Sequence, residues 1–183
     1  MATYKFEFDP THSQVGFVVR HMMFAKVRGQ FDAWDGELIL DRENPANSTV
    51  RATIQAASIN TGVGDRDNHL RSPDFFDVEG HPTLEFRGHS FEKRLGGYLV
   101  HGTLAIRGTT KPVTLEVDDL GSGIDPWGNT RVGLAARTKI HRKDFGLTWN
   151  QALEAGGVLV GDEVAIEIDV QAVQAERADE SAA

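Results

Sequence analysis

The chain has no cysteine among its 183 residues. That excludes disulfides, thiolate nucleophiles and cysteine-ligated zinc, but leaves the compartment open. It has no apolar run long enough to span a membrane as a helix. Cations are scarce: 19 Lys and Arg stand against 27 Asp and Glu, a formal net charge of -8. So acidic a chain is a poor general binder of nucleic acid or anionic lipid, because the phosphate term is repulsive. Also missing are a nucleophile elbow, a phosphate-binding glycine loop and a metal-ligand motif. The opening MATYKFEFDP has neither a basic n-region nor an apolar h-region. It starts with a native-looking Met1-Ala2 and reads directly as a strand, with Tyr4, Phe6 and Phe8 inward. The expectation is a protein not exported by a signal peptide, hence cytoplasmic, with no stable membrane insertion.

What the chain does have is alternation. Charged residues are 25% and the apolar set 40%, ordinary values for one globular domain with a proper core. After the Asp9-Pro10 turn, Val15, Phe17, Val19 and His21 share one parity, against Gln14, Gly16, Val18 and Arg20. That is a strand with one apolar face ending in an ionisable ring. Further apolar rows are Val50, Ala52 and Ile54; Leu84 and Phe86; Leu104 and Ile106; Leu134, Ala136 and Ile140; and Val164, Ile166 and Ile168. One polar and one apolar face per strand indicates an antiparallel sheet.

Gly96-Gly97 and Arg107-Gly108, with Lys111-Pro112, mark hairpins. Asp35-Gly36 could be another. The apolar parity, however, is odd at Val27 and Phe31 and even at Trp34, Leu38 and Leu40, which favours a β-bulge in one long bent strand. Two stretches break the alternation. Residues 65–71 read as a short helix capped by Asp65, followed by a turn at Ser72-Pro73 carrying Phe75 and Phe76. Residues 121–128 read as a surface loop. After Val173 the polar, Ala-rich tail reads as a frayed end or short helix. The expected domain is 1–175, with a tail at 176–183. Eight to ten amphipathic strands must close into a barrel or fold as a sandwich. Long strands and hairpin connections favour a barrel, hollow or filled.

Four blocks carry a resemblance to a known family. They are Asp9–His21 with Val27–Phe31; Ser58–Gly62 running into Arg66–Asp77; Gly102–Gly108 through Val113; and Arg142–Leu147. In this order they resemble the YceI-like family of lipocalin-like barrels, and they cover most of residues 4–173. The resemblance implies an all-β, extended antiparallel barrel of about eight strands with one or two short helices. It further implies an apolar tunnel for an isoprenoid, quinone-like or fatty-acyl chain, with that lipid as ligand and no other cofactor. Many family members carry a secretion signal, and this chain departs from them there. A homodimer is expected, supported by Trp127 in the exposed loop.

The expected tunnel lining is Val15, Phe17, Val19, His21, Phe31, Phe75, Phe76, Leu104, Ile106, Phe145, Leu147 and Trp149. Each aromatic taken singly is better explained by plain core packing; it is the set together that suggests a long lining. Arg66, Asp67 and His69 either meet a polar head group at the tunnel mouth or tie the helix to the barrel; the second reading is favoured. The seven histidines suggest no metal site, since His12 and His21 lie nine residues apart and so face opposite sides of a regular strand. A non-enzymatic carrier is preferred to an enzyme with His21 or His69 as general base, and to a filled structural barrel.

Overall fold

A computed structural model describes residues 3–154 and 156–177. The strands are β1 (Thr3–Phe8), β2 (Gln14–His21), β3 (Ala25–Phe31), β4 (Trp34–Asp41), β5 (Thr49–Gln55), β6 (Ile59–Asn60), β7 (Thr83–Arg94), β8 (Gly97–Ile106), β9 (Thr109–Ile124), β10 (Thr130–His141) and β11 (Val160–Arg177). One helix, α1 (Gly64–Arg71), lies between β6 and β7.

Three of the eleven strands continue another across a short interruption, which leaves eight staves. β1 and β2 pair with successive halves of β11. β3 and β4 pair with β2 and β1 in turn, and β6 and β5 continue the pattern. From β7 onward each stave pairs with its sequence neighbours, and β11 closes on β1 and β2. The fold is a closed antiparallel β-barrel of eight staves, so no long edge is left open. The first interruption follows from its residues: Asp9 caps a single 3-10 turn, accepting the Thr11 amide at 3.0 Å, with Pro10 at the first position.

The long bent strand is confirmed, with its break at Asp32-Ala33; Asp35 and Gly36 pair with Thr53 and Ala52 inside β4 and form no hairpin. The turns at Gly96 and at Arg107-Gly108 are present, with φ of 80°, 49° and 76°. Pro112 is tolerated in β9 because β10 pairs with β9 only from Glu116 onward, so its missing N–H leaves no ladder bond unmade there.

Three expectations are corrected. The helix cap is Val63, with no side-chain cap bond; Asp67 instead accepts the Thr61 amide and hydroxyl, at 2.9 and 2.6 Å. The first half of the expected 121–128 loop is strand, since β9 runs to Ile124, and the turn is confined to residues 125–128. The tail does not fray after Val173: β11 continues to Arg177, where pairing with β1 overrides weak local propensity. Residues 178–183 lie outside those described, as does Met1-Ala2.

One ionic cluster fastens the interrupted first stave. Arg131 on β10 donates to Asp9 and to Asp125, both at 2.8 Å. Hydrogen bonds from Thr11, Arg131 and His12 hold the Asp9 carboxyl far below its ordinary value. The Arg131 guanidinium brings Asp125 from 3.8 down to about 2. Both shifts are downward, so the unfolded chain binds more protons below pH 4, and this contribution is complete above about pH 4 and lost towards pH 2. Urea midpoints are expected to fall through that window in the parent protein, and to fall less steeply in Arg131→Gln. Equal slopes would show that the cluster is not the source.

Candidate ligand-binding cavity

The inward face of each stave is a row of branched and aromatic side chains. They do not meet at the barrel axis but enclose a cavity of about 230 Å³. On β8 the lining runs from Val100 to Ile106, and on β10 from Leu134 to Ile140. Six steps of about 3.4 Å each make a span of roughly 20 Å along the strand. The lining is almost entirely hydrocarbon. Among the described residues it includes one hydroxyl, Thr138, and one charged side chain, Arg142.

Ten of the expected lining residues border this cavity: Val15, Phe17, Val19, Phe31, Phe75, Phe76, Leu104, Ile106, Phe145 and Leu147. Phe17, Phe31 and Phe76 form a chain of tilted and edge-on rings with centroids 5.8 Å apart at each step. Phe17 has room because Gly29 lies directly across the ladder. A Cβ at Gly29 would clash with the tip of the Phe17 ring. Gly29→Ala is therefore expected to push that ring into the cavity and to cost about 1–3 kcal/mol by overpacking. A thermal melt checks the stability; an unchanged melt would mean the ring has free space elsewhere.

Five expected residues are not part of the lining. His21 ends β2 half-buried, opposite Ala25 and Val160. Inward parity lapses there because the β2–β11 pairing shifts register between Val160 and Val164. Arg66 donates to the Thr61 hydroxyl and carbonyl, at 2.7 and 2.8 Å, and Asp67 is buried on the same residue. These contacts match the helix-tying reading. The helix presents Leu70 to the cavity in place of that charged trio. His69 bonds Asp74 at 2.8 Å and meets the rings of Phe75 and Trp149 edge-on, at 5.1 and 4.6 Å. His69 and Trp149 thus back the lining residue Phe75 from behind. Among the described residues no three His, Asp or Glu side chains come together as a metal site.

Arg142 is the site residue that sequence reasoning passed over. It is 4% exposed, in a polar HRKD stretch that reads as surface. Its Nε donates to the Gly161 carbonyl, Nη1 to those of Leu147 and Trp149, and Nη2 to that of Val160, at 2.8 to 3.2 Å. Burial lowers its pKa from the ordinary value, with Asp162 opposing. One guanidinium thereby pins the segment that carries Phe145 and Leu147 over the end of the barrel. No composition or parity signal marks it. Trp34 and Leu70 were also missed as lining, although Trp34 lay on a noted apolar parity.

Residues 6–172 match the YceI-like domain family. A UPF0312 protein of Photorhabdus laumondii is 40% identical over 144 residues, covering 79% of this chain and 75% of that protein. The crystal structure of BcnA from Burkholderia cenocepacia superposes with a TM-score of 0.78 at 23% identity, covering 90% of this chain and 98% of that one. A polyisoprenoid-binding domain from Saccharophagus degradans, implicated in plant cell wall breakdown, superposes with a TM-score of 0.67 at 16% identity, covering 93% and 98%. At these identities the two structures speak for the fold.

Proposed function

The chain belongs to the YceI-like family, and from that premise we propose that it binds a long apolar chain inside the barrel, as a carrier or sequestering protein rather than an enzyme. The observation that carries this reading is the hydrocarbon-lined cavity running along the staves. The ligand class is isoprenoid, quinone-like or fatty-acyl. A neighbour of the same fold, the Saccharophagus degradans domain, is a polyisoprenoid-binding one, which supports the first of these. Each buried methylene is worth about 0.8 kcal/mol, so several isoprene units bind tightly without a polar anchor. The preference for binding over catalysis is supported by the position of His21 and His69, neither of which lines the cavity.

Titration with prenols and fatty acids of graded length tests the proposal, followed by the fluorescence of Trp34, which borders the cavity. Affinity is expected to rise with chain length to a limit set by the tunnel and then level off. A flat response at all lengths overturns it. The expected homodimer belongs to the same reading, with Trp127, 79% exposed, as its apolar contact. Sedimentation at micromolar concentration should give the dimer mass, and Trp127→Ser the monomer mass; a parent protein at monomer mass contradicts this.

A further inference from the structure

The loop joining β2 to β3 is an exposed apolar tip. Met22, Met23 and Phe24 are 39%, 58% and 77% exposed. Met22 and Met23 have φ of 52° and 71°, in the left-handed region where Asn and Gly sit without strain. Two flexible apolar side chains therefore occupy a turn whose backbone favours small polar ones. The tip is braced from one side: the Met22 amide donates to the Leu159 carbonyl at 2.8 Å, and Met23 passes over Gly157. Val158, 38% exposed, extends the apolar surface.

Just behind the tip, Arg20 and Lys26 face each other directly across the ladder, both exposed. Like charges at opposed positions repel, and neither has a carboxylate partner among the described residues. Arg28, two residues on, is paired with Glu167. Glu154 is the exposed acid on the segment that braces the tip. The other end of the barrel also exposes Leu95, Ile124 and Trp127. There, however, Asp118, Asp119 and Asp125 pair with Arg94, Arg42 and Arg131 and neutralise them. An apolar tip with an unneutralised cation collar is therefore peculiar to the β2–β3 end.

We propose that this tip docks reversibly on a lipid bilayer containing anionic headgroups. Met22, Met23 and Phe24 enter the boundary between headgroups and acyl chains, and Arg20 and Lys26 lie at the phosphates. The net charge of -8 does not forbid this, because charges more than about 8 Å away are largely screened at physiological salt. Val160, the register partner of His21 at the base of the tip, borders the cavity. Docking therefore sets that end of the cavity against the membrane, where a lipid ligand would enter or leave. The inference goes beyond the binding reading, and its test does not depend on what the cavity holds.

Flotation of the full chain with mixed phosphatidylcholine–phosphatidylglycerol vesicles, and with phosphatidylcholine alone, is the experiment. The parent protein is expected to float with the mixed vesicles, more weakly at high salt, and poorly with phosphatidylcholine. Arg20→Gln with Lys26→Gln should weaken mixed-vesicle binding by about 25-fold, about fivefold for each cation. Met23→Asn with Phe24→Ser should weaken it at least tenfold, whereas Leu95→Ser, an exposed apolar position at the other end of the barrel, should leave it unchanged. All substituted side chains are exposed; circular dichroism verifies folding, and mass spectrometry of extracted ligand reports the cavity separately. A parent protein that stays with the soluble fraction overturns the proposal, as does a folded tip variant that binds like the parent or a Leu95→Ser variant that loses binding equally.

Discussion

Replacing Phe17 with aspartate is expected to abolish binding of any long apolar ligand. Phe17 borders the cavity between Val15 and Val19 on one stave, and its ring stacks towards Phe31. A carboxylate there faces hydrocarbon; its ladder partners, Gly29 and Ile166, offer no polar side chain to pair with it. An unpaired ionised group in such a setting is costly enough to draw in water or to remain protonated. Loss of the ring itself removes about 3–5 kcal/mol of packing. The barrel is therefore at risk as well as the ligand, and circular dichroism must accompany the binding measurement. Val19→Trp separates the two effects. It adds bulk without charge to a residue on the same lining row, so it should block the tunnel in a protein that still folds. A folded Val19→Trp protein carrying the same ligand in the same amount would show that this stave does not line the site.

Arg142→Met is expected to be strongly destabilising without touching the middle of the barrel. The side chain satisfies four backbone carbonyls on the segment between β10 and β11 and on β11 itself. Methionine fills much of the same volume and satisfies none of them. Orphaned buried acceptors cost about 1–3 kcal/mol each, and water entering from the rim relieves part of this. A net loss of about 3–5 kcal/mol is expected, read as a lower urea midpoint. Arg142→Lys keeps the charge but lacks the planar fork that reaches four carbonyls, so it should recover only a minor part. If Arg142→Met melts like the parent, the guanidinium is not what holds Phe145 and Leu147 over the cavity.

The strand rows were legible because period-two alternation survives wherever a stave has one wet face and one dry face. Val164, Ile166 and Ile168 show it most plainly, and all three border the cavity. The bend between Phe31 and Trp34 was legible too, since a parity switch has few other causes. What escaped depended on partners distant in sequence. The β11 extension to Arg177 exists because β1 is there to pair with it, not because of its own composition. The role of Asp67 follows from where Thr61 lies, and that of Arg142 from the carbonyls of a returning loop. His21 keeps inward parity on paper, but parity lapses where the ladder shifts register. Alternation also cannot say whether inward side chains meet at the axis. That depends on the circumference of the closed sheet, which eight staves make just wide enough for either outcome.

Whether the cavity is a ligand site is tested most directly by mass spectrometry of the protein purified without denaturation, in parent and Val19→Trp forms. The account predicts one long-chain apolar molecule per barrel in the parent, released on organic extraction, and little or none in the folded variant. Ligand-free parent protein that also takes up no added prenol, quinone or fatty acid would contradict it.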